Sequence, residues 1–71
     1  MMKVTAVVSS NVTSVGYDSD VKTLQVEFKN GDTYHYFDVP PDVFERFVTA
    51  ESAGQFLSKE IKGNYHYKKV T

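Results

Sequence analysis

An alternating stretch in the middle of the chain constrains its fold more than any other feature. Leu24, Val26 and Phe28 are apolar, and the residues between them are polar. Strict alternation over this length is typical of an antiparallel strand with one buried face. The pair Asn30-Gly31 follows, and both residues tolerate a positive φ. The chain is therefore expected to turn back on itself in a β-hairpin.

The length of this turn decides which face of the sheet carries the tyrosines of the return strand, residues 33–37. A two-residue turn places Tyr34 and Tyr36 opposite polar residues of the first strand. A three-residue turn, with Gly31 in the left-handed conformation, places them opposite Val26 and Leu24. Because a one-residue slip moves every side chain to the other face, the register that gathers the large apolar groups on one surface is favoured.

Shorter segments on either side of the hairpin extend the predicted sheet to about three strands. Residues 12–17 are the third candidate, with Thr13 and the other odd-numbered side chains on one face. The polar run Ser9-Ser10 separates this candidate from residues 4–8, which form either a short edge strand or a loose arm. The tail at residues 65–70 either adds a strand or packs across the helices. A fourth strand is thus expected to come from a terminus.

Two short helices are predicted after the sheet. Pro41 suits the first turn of a helix, where its missing N–H is not needed. Ser52 is a suitable N-cap for a second helix, and Gly63 a suitable C-terminal stop. Apolar residues recur at helical spacing in both segments: Val43, Phe44, Phe47 and Val48, then Phe56, Leu57 and Ile61. This order predicts an α+β fold in which a small antiparallel sheet packs against two short helices.

Length and composition limit the classes of protein that fit. The 71 residues suffice for a single domain over 1–71, with its core at about 8–70. The absence of cysteine excludes disulfides and cysteine-based zinc sites. The ten Phe and Tyr rings are therefore expected mainly in the core. No secretory signal and no apolar stretch of the roughly 20 residues that span a membrane are recognised, so a cytoplasmic location without membrane contact is expected.

A family resemblance is carried by motifs spread over nearly the whole chain. The motifs are Ser9-Ser10-Asn11, Val15-Gly16-Tyr17-Asp18, Leu24-x-Val26-x-Phe28-x-Asn30-Gly31, Tyr34-x-Tyr36, Val39-Pro40 and Glu51-Ser52-x-Gly54. In this order and spacing the chain resembles the KTSC domain, which is named for the C-terminus of some lysyl-tRNA synthetases and also occurs as small stand-alone bacterial proteins. The resemblance suggests RNA binding, on the ground of the association with the synthetases, and it brings no catalytic residues.

Charge is unevenly distributed along the chain. Residues 1–30 have no net charge, residues 31–58 carry −4 and residues 59–71 carry +3. At the basic end, lysines alternate with aromatic rings. This pattern has two interpretations: a nucleic-acid-binding patch, or a soluble C-terminus with scattered lysines. The candidate nucleic-acid-binding residues are Lys59, Lys62, Tyr65, His66, Tyr67, Lys68 and Lys69, with His35 as a further imidazole. Four lysines support only weak, salt-sensitive contact with RNA.

The motif residues Tyr34 and Tyr36 have two interpretations. They either stack bases on an open sheet or fill the core between sheet and helices, and the favoured register indicates the core. His35 and His66 would meet if their strands were neighbours, but no third or fourth ligand is indicated, so no metal and no cofactor are expected. The serines lack the context of a catalytic nucleophile, and no enzyme activity is expected.

Two functions remain open at this point. The leading hypothesis is a non-enzymatic binding module for RNA that uses the basic C-terminal residues. The alternative is a protein-interaction or accessory module without a nucleic-acid role, which recruits its partner through the acidic middle of the chain or through an exposed strand edge. The oligomeric state is left open, since an uncapped edge strand permits a dimer.

Overall fold

The computed structural model describes residues 3–7 and 11–70. Within these residues, five strands form one antiparallel sheet in sequence order. The strands are β1 (Lys3–Ala6), β2 (Val12–Asp18), β3 (Thr23–Phe28), β4 (Thr33–Tyr36) and β5 (Tyr67–Lys69). Helix α1 spans Pro41–Val48, and helix α2 spans Ala53–Phe56 and continues as a π-helical segment, Leu57–Ile61. The predicted α+β class is confirmed, with more strands than expected because both terminal segments pair.

The central hairpin has the register predicted from its apolar pattern. Val26 pairs with Tyr34, and Leu24 pairs with Tyr36. The turn closes with a hydrogen bond of 2.8 Å from the Phe28 N–H to the carbonyl of Asp32. Gly31 has a φ of 95°, the conformation that glycine adopts without strain. The three-residue turn is therefore confirmed, and it directs the large apolar side chains toward the helices.

Strand β2 contains a β-bulge that the sequence pattern did not reveal. Val12 pairs with Phe28 whereas Ser14 pairs with Glu27, so Thr13 is the extra residue. The bulge turns Val12 into the core, where it is fully buried, and leaves Thr13 exposed. The prediction that Thr13 lies on the inner face is therefore wrong, because strict alternation fails where one strand gains a residue.

The two helical segments begin and end close to their predicted positions. Pro41 is the first residue of α1, and the Ser52 hydroxyl accepts a hydrogen bond of 3.3 Å from the Gln55 N–H as the N-cap of α2. The π-helical segment closes with a 2.8 Å bond from the Lys62 N–H to the carbonyl of Leu57. The chain then turns at the next residue, Gly63, which has a φ of 84°.

The core lies between the helices and one face of the sheet, which we call the inner face. The rings of Tyr17 and Phe44 stack there with centroids 4.9 Å apart, and the Tyr17 hydroxyl donates to the buried carbonyl of Val39. Phe47 is fully buried and stacks on Phe56. The opposite side of the sheet is the outer face. Residues Val8, Ser9 and Ser10 of the predicted arm and family motif lie outside the described residues.

Candidate nucleic-acid interface

Strand β5 extends the inner face of the sheet beyond the part that the helices cover. Tyr67 pairs with Tyr36, and Lys69 pairs with Tyr34. Tyr36 is 2% exposed whereas Tyr67 is 61% exposed. The Tyr67 ring lies against both tyrosines of β4, with centroid distances of 5.8 Å to Tyr34 and 5.7 Å to Tyr36. The inner face is therefore buried at β4 and exposed to solvent at the neighbouring strand β5.

An open groove of about 530 Å³ follows this border, a size within the range of small-ligand sites. We call it the aromatic groove. The rings that line it belong to Phe28, Tyr34, Tyr36 and Tyr67, and the remaining lining residues are Asn30, Asp32, Lys62 and Gly63. The Phe28 and Tyr34 rings meet edge to face, with centroids 5.6 Å apart. The groove therefore offers ring faces along its length and polar groups at the hairpin end.

Lysines flank the groove on two sides. The Lys62 ammonium, which follows the π-helical segment, lies 5.7 Å from the centroid of the Phe28 ring. The Lys69 ammonium, from β5, lies 3.4 Å from Oδ1 of Asp32. Asn30 is next to the same carboxylate, and its side-chain amide donates to Oδ2 of Asp32 over 3.4 Å. The site combines positive charge with a single carboxylate at one end.

The phenol of Tyr36 stays neutral in this setting. Burial raises its pKa above the ordinary value of 10.0, and the neighbouring phenols of Tyr34 and Tyr67 raise it further. A neutral phenol both donates and accepts hydrogen bonds. The inner end of the groove is therefore uncharged, and its charges are confined to the outer end and the rim.

The sheet separates the candidate residues onto its two faces. Lys68 pairs with His35, so both lie on the outer face, whereas Tyr67 and Lys69 lie on the inner face. The His35 Nε2 lies 2.8 Å from Oε1 of Gln25. The carbonyl of His66 accepts from the N–H of Phe37, which puts His66 diagonally across from His35. The two histidines thus share a face without being directly paired.

The remaining candidates occupy other positions. Lys59 is exposed on the π-helical segment, and Tyr65 is half-buried and packs against the core. Of the eight candidates, the groove collects Lys62 and Tyr67 with Lys69 at its rim. Sequence reasoning missed the groove residues of the hairpin, Asn30 and Asp32. The signal was available in the favoured hairpin register, which puts residue 32 on the same face as residues 34 and 36.

Among residues 3–7 and 11–70, no group of three or more His, Asp or Glu side chains is arranged to hold a metal ion. No helix in the same part of the chain is long and apolar enough to cross a membrane.

Comparison with known proteins identifies the family. Residues 8–65 match the KTSC domain. The chain belongs to the KTSC domain family. The crystal structure of a KTSC domain protein from Yersinia pestis superposes with a TM-score of 0.92 at 36% identity and covers 100% of both chains. The KTSC fold described above is thus shared with a relative of the same length range.

Other relatives of this KTSC chain are of two kinds. A small protein from Stutzerimonas stutzeri is 39% identical over 67 residues, which cover 94% of this chain and 93% of the relative. A lysine–tRNA ligase from Nostoc punctiforme is 37% identical over 62 residues, which cover 87% of this chain but 11% of the ligase. The KTSC chain therefore spans about a tenth of that ligase and nearly all of the small relative.

Proposed function

We propose that this KTSC domain is a non-enzymatic module that binds single-stranded RNA in the aromatic groove. The observation that carries the proposal is the exposed ring of Tyr67, which contacts Tyr34 and Tyr36 in a groove that Lys62 also lines, with Lys69 at its rim. An exposed aromatic ring next to positive charge is the arrangement that proteins use to hold unpaired bases.

Ring stacking provides the part of binding that does not depend on salt. Bases stack on Tyr and Phe whatever their sequence, because every base has a flat π face. The rings of Phe28, Tyr34 and Tyr67 present edges and faces to the groove, and Tyr36 closes its buried end. A groove of about 530 Å³ has room for one or two bases, so a short single strand is the expected ligand.

The lysines provide the part of binding that depends on salt. Lys62 and Lys69 lie at the groove, whereas Lys68 faces away from it and Lys59 lies on the π-helical segment. For single strands the logarithm of affinity falls with the logarithm of salt at about 0.7 per phosphate neutralised. Two groove lysines predict a loss of about sevenfold between 50 and 200 mM salt, and four lysines predict about fiftyfold.

The family context supports the same function. The relatives include lysine–tRNA ligases, enzymes whose name states that they act on tRNA. In those proteins the KTSC segment is a small part of a larger chain. A module that binds RNA without help from other domains is compatible with both the ligases and the small stand-alone relatives.

A chemical-shift titration of the ¹⁵N-labelled protein with a short mixed-sequence RNA tests the proposal. The amides of the groove residues are expected to shift at low salt and to return toward their free positions as salt is added. Tyr67→Ala is expected to weaken binding by about 5- to 150-fold, which corresponds to 1–3 kcal/mol for a stacked base. Tyr67→Phe retains the ring and is expected to retain binding.

Matched charge variants separate the groove from general electrostatics. Lys62→Gln and Lys69→Gln remove a groove charge, and Lys59→Gln and Lys68→Gln remove the same charge elsewhere. The first pair is expected to reduce both the affinity and the salt slope, and the second pair to leave them nearly unchanged. Equal effects of all four variants, or no shifts at low salt, would refute RNA binding in the groove.

One observation favours the protein-binding alternative. In β5 the residues next to Tyr67 and Lys69 bond to β4, so the backbone groups of these two residues point away from the sheet. Such an edge accepts an extra strand from a partner protein. If RNA leaves every amide unshifted while the free edge of β5 is protected from hydrogen exchange in cell extract, the protein-interaction function is the better account.

A further inference from the structure

We propose that the aromatic groove selects guanine, with the side chains of Asp32 and Lys69 as the groups that recognise the edge of the base. This inference rests on the proposed function and names the base that the site prefers. General RNA binding does not explain the carboxylate at the groove. Asp32 lines the groove, its side chain is 34% exposed, and it carries the charge that repels phosphate.

The backbone holds the Asp32 side chain at the hairpin end of the groove. Its carbonyl accepts from the Phe28 N–H over 2.8 Å, and its own N–H donates to Oδ1 of Asn30 over 2.9 Å. The side chains of residues 32, 34 and 36 all lie on the inner face. The Asp32 carboxylate is therefore in one row with the two tyrosine rings of β4, at the hairpin end. The Tyr34 and Tyr67 rings contact each other, with centroids 5.8 Å apart and planes tilted by 48°, so a base stacks on the side of these rings that faces the groove. Tyr34 is the tyrosine nearer to Asp32 along the strand, and we therefore place the polar edge of the base against this carboxylate.

The ion pair of Asp32 and Lys69 presents a specific hydrogen-bonding pattern. The carboxylate has two acceptor oxygens: Oδ1 lies 3.4 Å from the Lys69 ammonium, and Oδ2 accepts from the Asn30 amide over 3.4 Å. Each oxygen retains a second lone pair for a ligand, and the ammonium offers further donors. Two acceptors beside a donor reproduce the pairing edge of cytosine. Guanine has the complementary pattern, with the N1–H and the 2-amino group as donors and O6 as an acceptor. The carboxylate then accepts two parallel hydrogen bonds, and Lys69 donates to O6.

The other bases match this pattern less completely. Adenine has one amino donor next to one acceptor, and uracil has one N–H donor between two carbonyls. Each satisfies one oxygen of the carboxylate and one proton of the ammonium. Cytosine places its acceptors against the carboxylate and is disfavoured. Guanine alone offers two adjacent donors to the two oxygens of Asp32, so its preference depends on the 2-amino group.

Binding of uridine oligonucleotides with one central guanosine, adenosine or inosine tests the proposal. Inosine is guanosine without the 2-amino group. The guanosine oligonucleotide is expected to bind at least about fivefold more tightly than the other two, the lower end of what a bidentate base contact contributes. Guanosine and adenosine monophosphates, titrated separately, show whether the guanine has to be part of a chain.

The variant Asp32→Asn distinguishes base reading from charge. Removal of a negative charge next to the groove would by itself strengthen RNA binding. Base reading instead predicts that the variant loses the preference for guanosine over inosine and adenosine. Asp42→Asn, on the exposed first turn of α1, makes the same charge change away from the groove and is the matched control. It is expected to keep the wild-type preference.

The outcomes separate this inference from the proposed function. A guanosine preference that Asp32→Asn abolishes and Asp42→Asn retains supports guanine recognition. Equal affinity for the three oligonucleotides overturns guanine recognition and leaves RNA binding in place. If no oligonucleotide binds but guanosine monophosphate shifts the groove amides more than adenosine monophosphate does, the guanine site stands and the RNA function falls. If no oligonucleotide and neither monophosphate binds, both fall.

Discussion

The hydrogen bond between Tyr17 and Val39 joins the sheet to the start of α1, and its removal makes a quantitative prediction. Tyr17 is 6% exposed and Val39 is fully buried. The phenol hydroxyl donates to the Val39 carbonyl, while the Val39 N–H donates to the carbonyl of Lys22. Tyr17→Phe retains the stacking on Phe44 and removes one oxygen. The substitution therefore isolates this hydrogen bond.

The expected cost follows from the acceptor that is left behind. A buried carbonyl without a partner costs about 1–3 kcal/mol. For a domain of this size each kcal/mol lowers the Tm by about 4–8 °C. Tyr17→Phe is thus expected to be less stable than the wild type by about 1–3 kcal/mol at pH 7. Tyr67→Phe removes a hydroxyl from a ring that is 61% exposed, and its effect is expected within about 0.5 kcal/mol.

The stability of the wild type is also expected to fall at high pH. Burial raises the pKa of Tyr17 above its ordinary value of 10.0, and the nearby charges of Asp42 and Asp18 raise it further. Above about pH 10 the phenol ionises in the unfolded chain but stays protonated in the folded one. The unfolded state then binds fewer protons, so stability falls as the pH rises through the raised value.

Urea denaturation followed by far-UV circular dichroism measures both effects. Tyr17→Phe lacks the contribution of this phenol to the alkaline loss, so its free energy of unfolding is expected to approach that of the wild type between pH 9 and pH 11. Tyr36 adds a loss in the same direction in both proteins, because burial also raises the pKa of Tyr36. A gap that is absent at pH 7, or that widens with pH, would contradict the reasoning.

Two further variants test the local conformations that set the fold. Gly31→Ala is expected to lower the free energy of unfolding in urea by about 1–2 kcal/mol. The cost comes from backbone strain alone, because the φ of residue 31 is +95° and an added Cβ meets nothing within 4 Å. Gly31→Asn is expected to cost less, since asparagine tolerates a positive φ, and an equal cost for the two variants would count against strain. Ser52→Ala removes the acceptor of the Gln55 N–H and is expected to lower the free energy of unfolding by about 1 kcal/mol. Ser52→Asp retains a capping oxygen and is expected to retain stability. An equal loss of stability in both variants would exclude capping as the cause.

The sequence predicted the hairpin because one physical requirement outweighed the others there. Val26 and Leu24 must be buried, and only one register puts Tyr34 and Tyr36 beside them. The bulge at Thr13 is different, because nothing in residues 12–17 states that an extra residue is present. It becomes apparent only when Val12 is paired with Phe28. Long-range pairing decides such a position, and local alternation does not.

Strand β5 shows the same limit at the candidate site. Its residues Tyr67, Lys68 and Lys69 are all exposed. The sequence of β5 therefore shows no alternation of buried apolar and exposed polar residues. The sequence alone therefore predicts the basic tail as one patch. Pairing with β4 divides it, since neighbours in a strand point to opposite faces. Lys69 joins the groove and Lys68 joins His35 on the outer face, a separation that composition and charge counts do not contain.

The position of Asp32 makes the site more than a basic patch with rings. In an account based on charge alone, a carboxylate at the groove weakens phosphate binding and reduces the benefit of Lys69, with which it is paired. In an account based on base recognition, the same carboxylate is the acceptor that a stacked guanine requires. In both accounts the loss of the negative charge in Asp32→Asn strengthens the binding of RNA without guanosine. Only base recognition predicts that the variant also loses the preference for guanosine over inosine. The loss or retention of that preference decides whether the groove binds nucleic acid generally or reads a base.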